Sequence, residues 1–448
     1  MAGDAFAQVA EVPVDPDGAL VYEEGWQSWS PSTTYRLGEP PVRGRRRQAL
    51  CYLPDRYPSA GSYQGEGLLA LDPGDGGPAH VFAASDGRVE VPSVRASRAG
   101  ERVLVSADGG IEHIVDDGPG GLPCALARWA SAYAAGVGAP RPRPAPTIWS
   151  SWYQYFSRVT ERDVLEDLDA MDELGVPVGV VQVDDGYEAE VGDWLTLSPG
   201  FSSLGDLAER IRDRGRRAGI WVAPFLVGER SALRAEHPDW LVRGAYGGHN
   251  WGQELAVLDV THPGAAAYLR EVFGSIYERG FDFFKIDFIY AGASPGRRYE
   301  DVPALEAYRR GLAIVRAAIG DAYLLGCGAP ILPSVGLVDA MRVSPDTAPR
   351  YEPADGELSH PGQRGAALTG AARAYQHGRL WVNDPDCLIV RPEVERRADW
   401  AAHVERYGGL RGSSDRLRGL DAWGLDTTRR LLAEQPPAYL VDAHPVGG

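Results

Sequence analysis

The chain has 448 residues, 44% hydrophobic and 24% charged, which excludes disordered, collagen-like and membrane-spanning architectures and leaves room for two domains or a large barrel with an appendage. Forty-five basic residues against 62 acidic ones give a net charge of −17, a balance that disfavours nucleic-acid and anionic-membrane partners and suits a neutral small-molecule substrate. The start, MAGDAFAQVAEVPVD, has no charged segment followed by an apolar one, so a cytoplasmic protein is expected.

The first 140 residues carry short alternating stretches, Arg88–Val91 and Arg102–Ser106, separated by turn clusters such as DPGDGG. This pattern predicts an N-terminal all-β, sandwich-like domain over 1–140. A helix is expected over Ala125–Ala135, and the Pro-rich run at 141–147 is a stiff linker. From Ile148 short apolar runs alternate with amphipathic helices. Strands are expected at Ile148–Tyr153, Val178–Val183, Ile220–Phe225, Phe281–Asp287, Tyr323–Cys327, Ala340–Ser344 and Leu380–Asn383, with an eighth near Gly408. Thr160 and Asp163 open the first helix as a capping-box variant. About eight such βα units fill 148–410, the size of a (β/α)8 TIM barrel, which leaves a C-terminal helix and tail over 411–448.

Polar residues gather where these strands end: Asp184 and Asp185, Lys285 and Asp287, Cys327, Asp346, then Asp384 and Asp386. In a barrel those ends converge on one mouth, whereas an open sheet would string them along an edge. Lys285 is the one Lys among the 45 basic residues. It shares a strand face with Asp287, and a compact ammonium there can hold two hydroxyls and a carboxylate, which a planar guanidinium does poorly. The competing reading is a plain ion pair closing the barrel. Asp346 follows Pro345 in a loop that either presents a carboxyl to a pocket or caps a helix. Asp287 and Asp346 together supply the two carboxyl groups that glycoside cleavage requires. Asp184 and Asp185 are either acceptors for sugar hydroxyls or a helix cap. Trp29, Trp152 and Trp221 are candidate platforms for sugar faces, against the commoner role of an aromatic in a core. Cys51, Cys124, Cys327 and Cys387 lack CxxC spacing, so reduced thiols are expected. Gly292–Gly296 fits G-x-S-x-G, but Pro295 lacks the N–H that a nucleophile elbow needs, so this is a loop. The Arg43–Arg47 run is read as a solvated loop.

Ile148-Trp-Ser-Ser-Trp-Tyr153, Gln182-Val-Asp-Asp-Gly-Tyr187, Phe284-Lys-Ile-Asp287, Arg342-Val-Ser-Pro-Asp346 and Trp381-Val-Asn-Asp-Pro-Asp-Cys387 resemble, in order, the strand-end motifs of the melibiase-type α-galactosidases, glycoside hydrolase family 36. Gly25-Trp-Gln-Ser-Trp29 resembles part of that family's N-terminal domain. The resemblance implies a retaining double displacement on terminal α-galactosyl residues, with Asp287 as nucleophile and Asp346 as general acid/base, and so carboxyl groups about 5–5.5 Å apart. It assigns substrate binding to Asp184, Asp185, Lys285 and Arg342, places Cys327 at the same mouth, implies no metal or cofactor, and leaves room for a homo-oligomer; Trp29, Trp152 and Trp221 as aromatic platforms and Asp386 as a strand-end carboxylate complete the expected substrate-binding set. Ile286, Ile289 and Ser150 stand where the family more often has tryptophan, asparagine and cysteine. α-N-Acetylgalactosaminidase action or galactosyl transfer is the alternative within this chemistry. Outside it stand a metal-dependent barrel enzyme and a carbohydrate-binding protein without catalysis.

Overall fold

The computed structural model describes residues 6–44 and 61–442. Nine N-terminal strands, β1 (Ala7–Pro13), β2 (Leu20–Glu23), β3 (Thr33–Arg36), β4 (Tyr63–Glu66), β5 (Leu68–Asp72), β6 (Ala79–Ala84), β7 (Ser93–Ala99), β8 (Arg102–Ala107) and β9 (Ile111–Asp116), form two antiparallel sheets, β1-β8-β7-β4 and β3-β2-β5-β6-β9. Val12, Val21, Leu69, Phe82, Val94 and Val105 form the core of this sandwich. The expected strand at Arg88–Val91 is a turn instead: Arg88 bonds back to Asp86 through its backbone N–H and its guanidinium, and Val89 is exposed. Arg43 is not merely solvated; it forms a two-pronged pair with buried Glu23. Arg45–Arg47 and Cys51 lie outside the described residues. Helix α1 (Gly121–Gly136) packs on β6 and on the turn Ala374–Gln376.

The second part is a curled sheet of eight parallel strands. In chain order its elements are β10 (Ile148–Ser150), α2 (Trp152–Tyr155), α3 (Glu161–Glu173), β11 (Val180–Val183), α4 (Leu204–Asp213), β12 (Arg217–Val222), β13 (Leu226–Gly228), α5 (Ala232–Glu236), β14 (Gly248–Asn250), β15 (Gln253–Val257), α6 (Pro263–Glu278), β16 (Phe281–Ile286), α7 (Ala304–Ile319), β17 (Tyr323–Gly326), β18 (Ala340–Arg342), α8 (Gln363–Ala372), β19 (Val382–Asp384), α9 (Arg397–Tyr407), β20 (Gly412–Ser413) and α10 (Ala422–Ala433). Strand neighbours follow chain order, with β20 beside β10. The backbone N–H groups of Gly409 and Leu410 reach the Asn383 carbonyl across the remaining seam, which makes the (β/α)8 barrel. Ile148, Val180, Phe283, Tyr323, Leu325 and Val382 fill its interior. The capping box at Thr160 and Asp163 is present.

Three expectations need correction. The strand from Ile148 stops at Ser150, and Trp152–Tyr155 form a helical turn in which Trp152 lines the mouth while Tyr153 is buried. The eighth strand lies beyond residue 410. It is two residues long, too short to show a hydrophobic period, and a side chain at Gly412 would collide with Ile148, 2.4 Å away. The fifth unit has no α-helix; 13 residues (327–339) join β17 to β18 through one 3-10 turn, Leu332–Ser334. The N-terminal part fills that place. Ser28 N–H donates to the Ala329 carbonyl, Ile331 N–H to that of Trp26, and Gln27 bridges to Pro330.

Candidate active site

Each strand-end residue owes its place to the barrel. Lys285 and Asp287 continue the inward face that Phe283 begins below them. Lys285 Nζ lies 2.9 Å from Asp184 Oδ2 and 3.8 Å from Asp287 Oδ2. Burial works against its charge, but the attraction of Asp184 and Asp287 outweighs that cost and raises its pKa. Asp287 accepts from the Trp221 indole N–H (3.1 Å) on one oxygen and from the Phe288 backbone N–H (2.8 Å) on the other. Asp184 also accepts from Gln182 Nε2 (2.6 Å). Both members of the Asp184–Asp185 pair reach the cavity, because β11 ends at Val183 and the chain is already turning at Gly186, φ +119.

Arg342 is the second hub. Its guanidinium meets Asp346 (3.1 Å), Asp384 (3.2 Å) and Asp386 (2.8 Å). Burial raises the Asp346 pKa, Arg342 opposes that rise, and Asp386 and Asp287 add to it; the carboxyl titrates at about 7. The carboxylates of the mouth are thus shared out between one ammonium, one guanidinium and indole donors. Among the described residues no group of three or more His, Cys, Asp or Glu side chains is placed to hold a metal ion.

A cavity of about 370 Å³ opens at the C-terminal ends of the strands. It is lined by eight of the expected residues: Trp29, Trp152, Asp184, Asp185, Trp221, Lys285, Asp287 and Asp346. Arg342, Cys327 and Asp386 do not line it. Asp386 was expected to bind substrate because it follows a strand. With φ +88 it turns beneath the mouth instead, where it accepts from the Tyr153 hydroxyl and the Thr347 N–H. Cys327 is fully buried, with its thiol pKa raised by that burial. Cys124, Cys327 and Cys387 are free thiols.

Sequence reasoning missed His249, Asn250, Trp251, Phe288, Ser157, Ser359 and Pro361, which complete the lining. Trp251 sits in the two-residue turn between β14 and β15, with φ +51 there and +64 at Gly252. Asn and Gly are the residues usually found in such a primed hairpin turn, so a bulky Trp in its first position is strained. The indole N–H donates to Asp185 at 2.7 Å. The available signal was Asn250-Trp-Gly252 itself, a short turn with a bulky tryptophan where Asn or Gly is usual. Of the five non-Gly residues with positive φ among the described residues, Phe156, Trp251, Phe288 and Asp386 all line or underlie the mouth, and strain of this kind concentrates at functional sites.

Trp29 reaches the cavity from the N-terminal part and packs edge-on against Phe288, 4.9 Å between centroids. Gly328, φ +53, makes room for it: an added Cβ would lie 3.1 Å from that indole ring and 3.0 Å from the Phe288 nitrogen. The loop is clamped by Arg373, wholly buried, which pairs with Glu24 (2.7 Å) and donates to the carbonyls of Gln27, Ser28 and Ser30. Tyr22, Tyr375 and Gln376 also donate to Glu24. The clamp satisfies both buried charges, as a buried pair requires.

Two carboxyl groups facing one aromatic-walled pocket at the mouth of a parallel barrel are the arrangement of a barrel glycosidase. The melibiase family profile matches residues 138–303. The α-galactosidase TtGalA from Thermus thermophilus, solved in complex with p-nitrophenyl α-D-galactopyranoside, superposes with a TM-score of 0.79 at 30% identity over 96% of this chain and 90% of its own. The chain therefore belongs to the melibiase family of α-galactosidases. AgaA from Geobacillus stearothermophilus is 26% identical over 147 residues, 31% of this chain but only 20% of AgaA. Its structure shares the fold, with a TM-score of 0.65 over 95% of this chain and 61% of that one.

Proposed function

We propose that the protein is a retaining glycoside hydrolase that cleaves terminal α-galactosyl residues. The observation that carries this reading is the unequal setting of the two carboxyl groups on one cavity. Asp287 receives N–H donors on both oxygens and faces an ammonium, surroundings that suit an attacking anion. Asp346 titrates near neutrality, which suits a group that gives up a proton and takes it back. In the first step Asp287 attacks C1, the glycosidic C–O bond breaks, and the Asp346 proton passes to the leaving oxygen. In the second, water attacks C1, Asp346 takes a proton from it, and the bond to Asp287 breaks. Asp184, Asp185 and Lys285 hold the sugar hydroxyls, while Trp29, Trp221 and Trp251 face its C–H surfaces.

A panel of aryl α- and β-glycosides tests the reading. Colour from the α-galactoside should exceed that from every β-glycoside and from the α-glucoside and α-xyloside, and an enzyme silent on α-galactosides would overturn it. The pH profile carries a second expectation. Because protonated Asp346 is the active form, kcat/KM for poorly activated substrates should fall tenfold per unit as pH rises past about 7. α-Galactosyl fluoride, whose leaving group needs no proton, should lack that limb. A limb of equal position and depth on both substrates would assign it to another group.

A further inference from the structure

The acids at the barrel mouth differ in what neutralises them. Asp184 and Asp287 face Lys285, and Asp346, Asp384 and Asp386 face Arg342. Asp185 is buried, and among the described residues no basic side chain pairs with it; Lys285 acts on it only at longer range. Its partners are the Trp251 indole N–H, at 2.7 Å, and a second carboxyl group, that of Glu188. Glu188 is 7% exposed and stands behind the cavity lining. It too has no cation, whereas Glu190, two residues on, takes Arg230 at 2.8 Å. The turn at Gly186 returns position 188 beside Asp185, and bonds across the turn fix it there: Ala189 N–H donates to the Thr196 carbonyl and Ser198 N–H to that of Tyr187, both at 2.8 Å. Glu188 Oε2 accepts from the Gly186 N–H at 3.2 Å. The other titratable neighbours, Asp184 and the buried Tyr187 hydroxyl, bring no positive charge.

Two carboxyl groups in contact, both out of water and without a cation, cannot both be ionised. One proton between them turns repulsion into a charge-assisted hydrogen bond. Glu188, sealed from the cavity, is the member that keeps it: burial first, and then the Asp185 charge, push its carboxyl well up. We propose that Glu188 is a positioning residue for galactosyl binding, protonated at neutral pH and donating to Asp185, so that Asp185 is held between this donor and the Trp251 indole as a fixed acceptor for a sugar hydroxyl. The proposal rests on the reading of Asp185 as a hydroxyl-binding group.

Galactose, which binds as a competitive inhibitor without chemistry, is the probe. Glu188→Ala should raise its inhibition constant about tenfold or more, the scale of one hydrogen bond to a charged group, while kcat for α-galactosyl fluoride falls by less. Glu188→Gln keeps a donor in the same shape and should recover most of that loss. A Glu188→Ala constant within about threefold of wild type, or a Glu188→Gln variant as weak as Glu188→Ala, would overturn the positioning role. A second measurement needs no ligand: the infrared difference between wild type and Glu188→Gln at neutral pH should contain the band of a protonated carboxyl, and its absence would overturn the shared proton. A wild-type enzyme that shows the band but binds no galactose would overturn the galactosidase reading, and the binding role with it, while the proton between the two acids stood.

Discussion

Asp287→Ala should hydrolyse aryl α-galactosides at least about 10⁴-fold more slowly than wild type, because removing a nucleophile forfeits the covalent route and leaves only binding and electrostatic assistance. The loss alone would not separate a nucleophile from an acid; azide does. In the vacated space azide attacks C1 from the side Asp287 occupied, displaces the aryloxide and inverts the centre, so the product is the β-galactosyl azide. Were Asp287 the acid/base, its loss would still allow an intermediate to form on another group, and azide would open it to the α-azide. Proton NMR of the product distinguishes the two, and an α-azide, or activity at the wild-type level, would remove Asp287 from the role. Folding should survive the change, because the Trp221 N–H that it unpairs can be met by water in the open cavity.

Lys285→Arg should cost about 10²-fold or more in kcat/KM, the scale on which a single positioned charge counts in a closed site. Arginine keeps the charge, so this variant isolates shape. The ammonium stands 2.9 Å from Asp184 and 3.8 Å from Asp287, at a position 5% exposed above the packed barrel interior. A planar guanidinium needs more width than that position offers and would fork onto one carboxylate at the expense of the other. Circular dichroism should report a folded protein with kcat reduced more than KM. A variant within a few-fold of wild type would show that any cation serves there. The choice of Lys in a chain that otherwise uses Arg throughout would then have no explanation in the site.

The readability of the site in the sequence follows a physical line. Lys285 and Asp287 could be placed because a strand has a period of two and a parallel sheet makes its strands near-continuous apolar runs, so the polar residues at their ends stand out. Trp251 could not. It touches Asp185 across 66 residues, from a hairpin inserted between β12 and α6, and no local period connects the two. Asp386 shows the opposite failure: its place after a strand was right, but a left-handed backbone conformation, which no pattern of neighbours encodes for an aspartate, turned it away from the cavity. The missing fifth helix was hidden because a 13-residue connection reads much like a loop plus a short helix. What replaced it came from the other end of the chain.

The clamp between Glu24 and Arg373 spans 349 positions. During synthesis the N-terminal sheets can form early, but the loop carrying Trp29 must wait for its partners until Arg373 has left the ribosome. The wall of the cavity that carries Trp29 is therefore completed only after six of the eight barrel strands have been made. Chains stalled before α8 should hold a formed sandwich with the Glu24 carboxylate still open to water, a state that exchange at the loop amides would reveal.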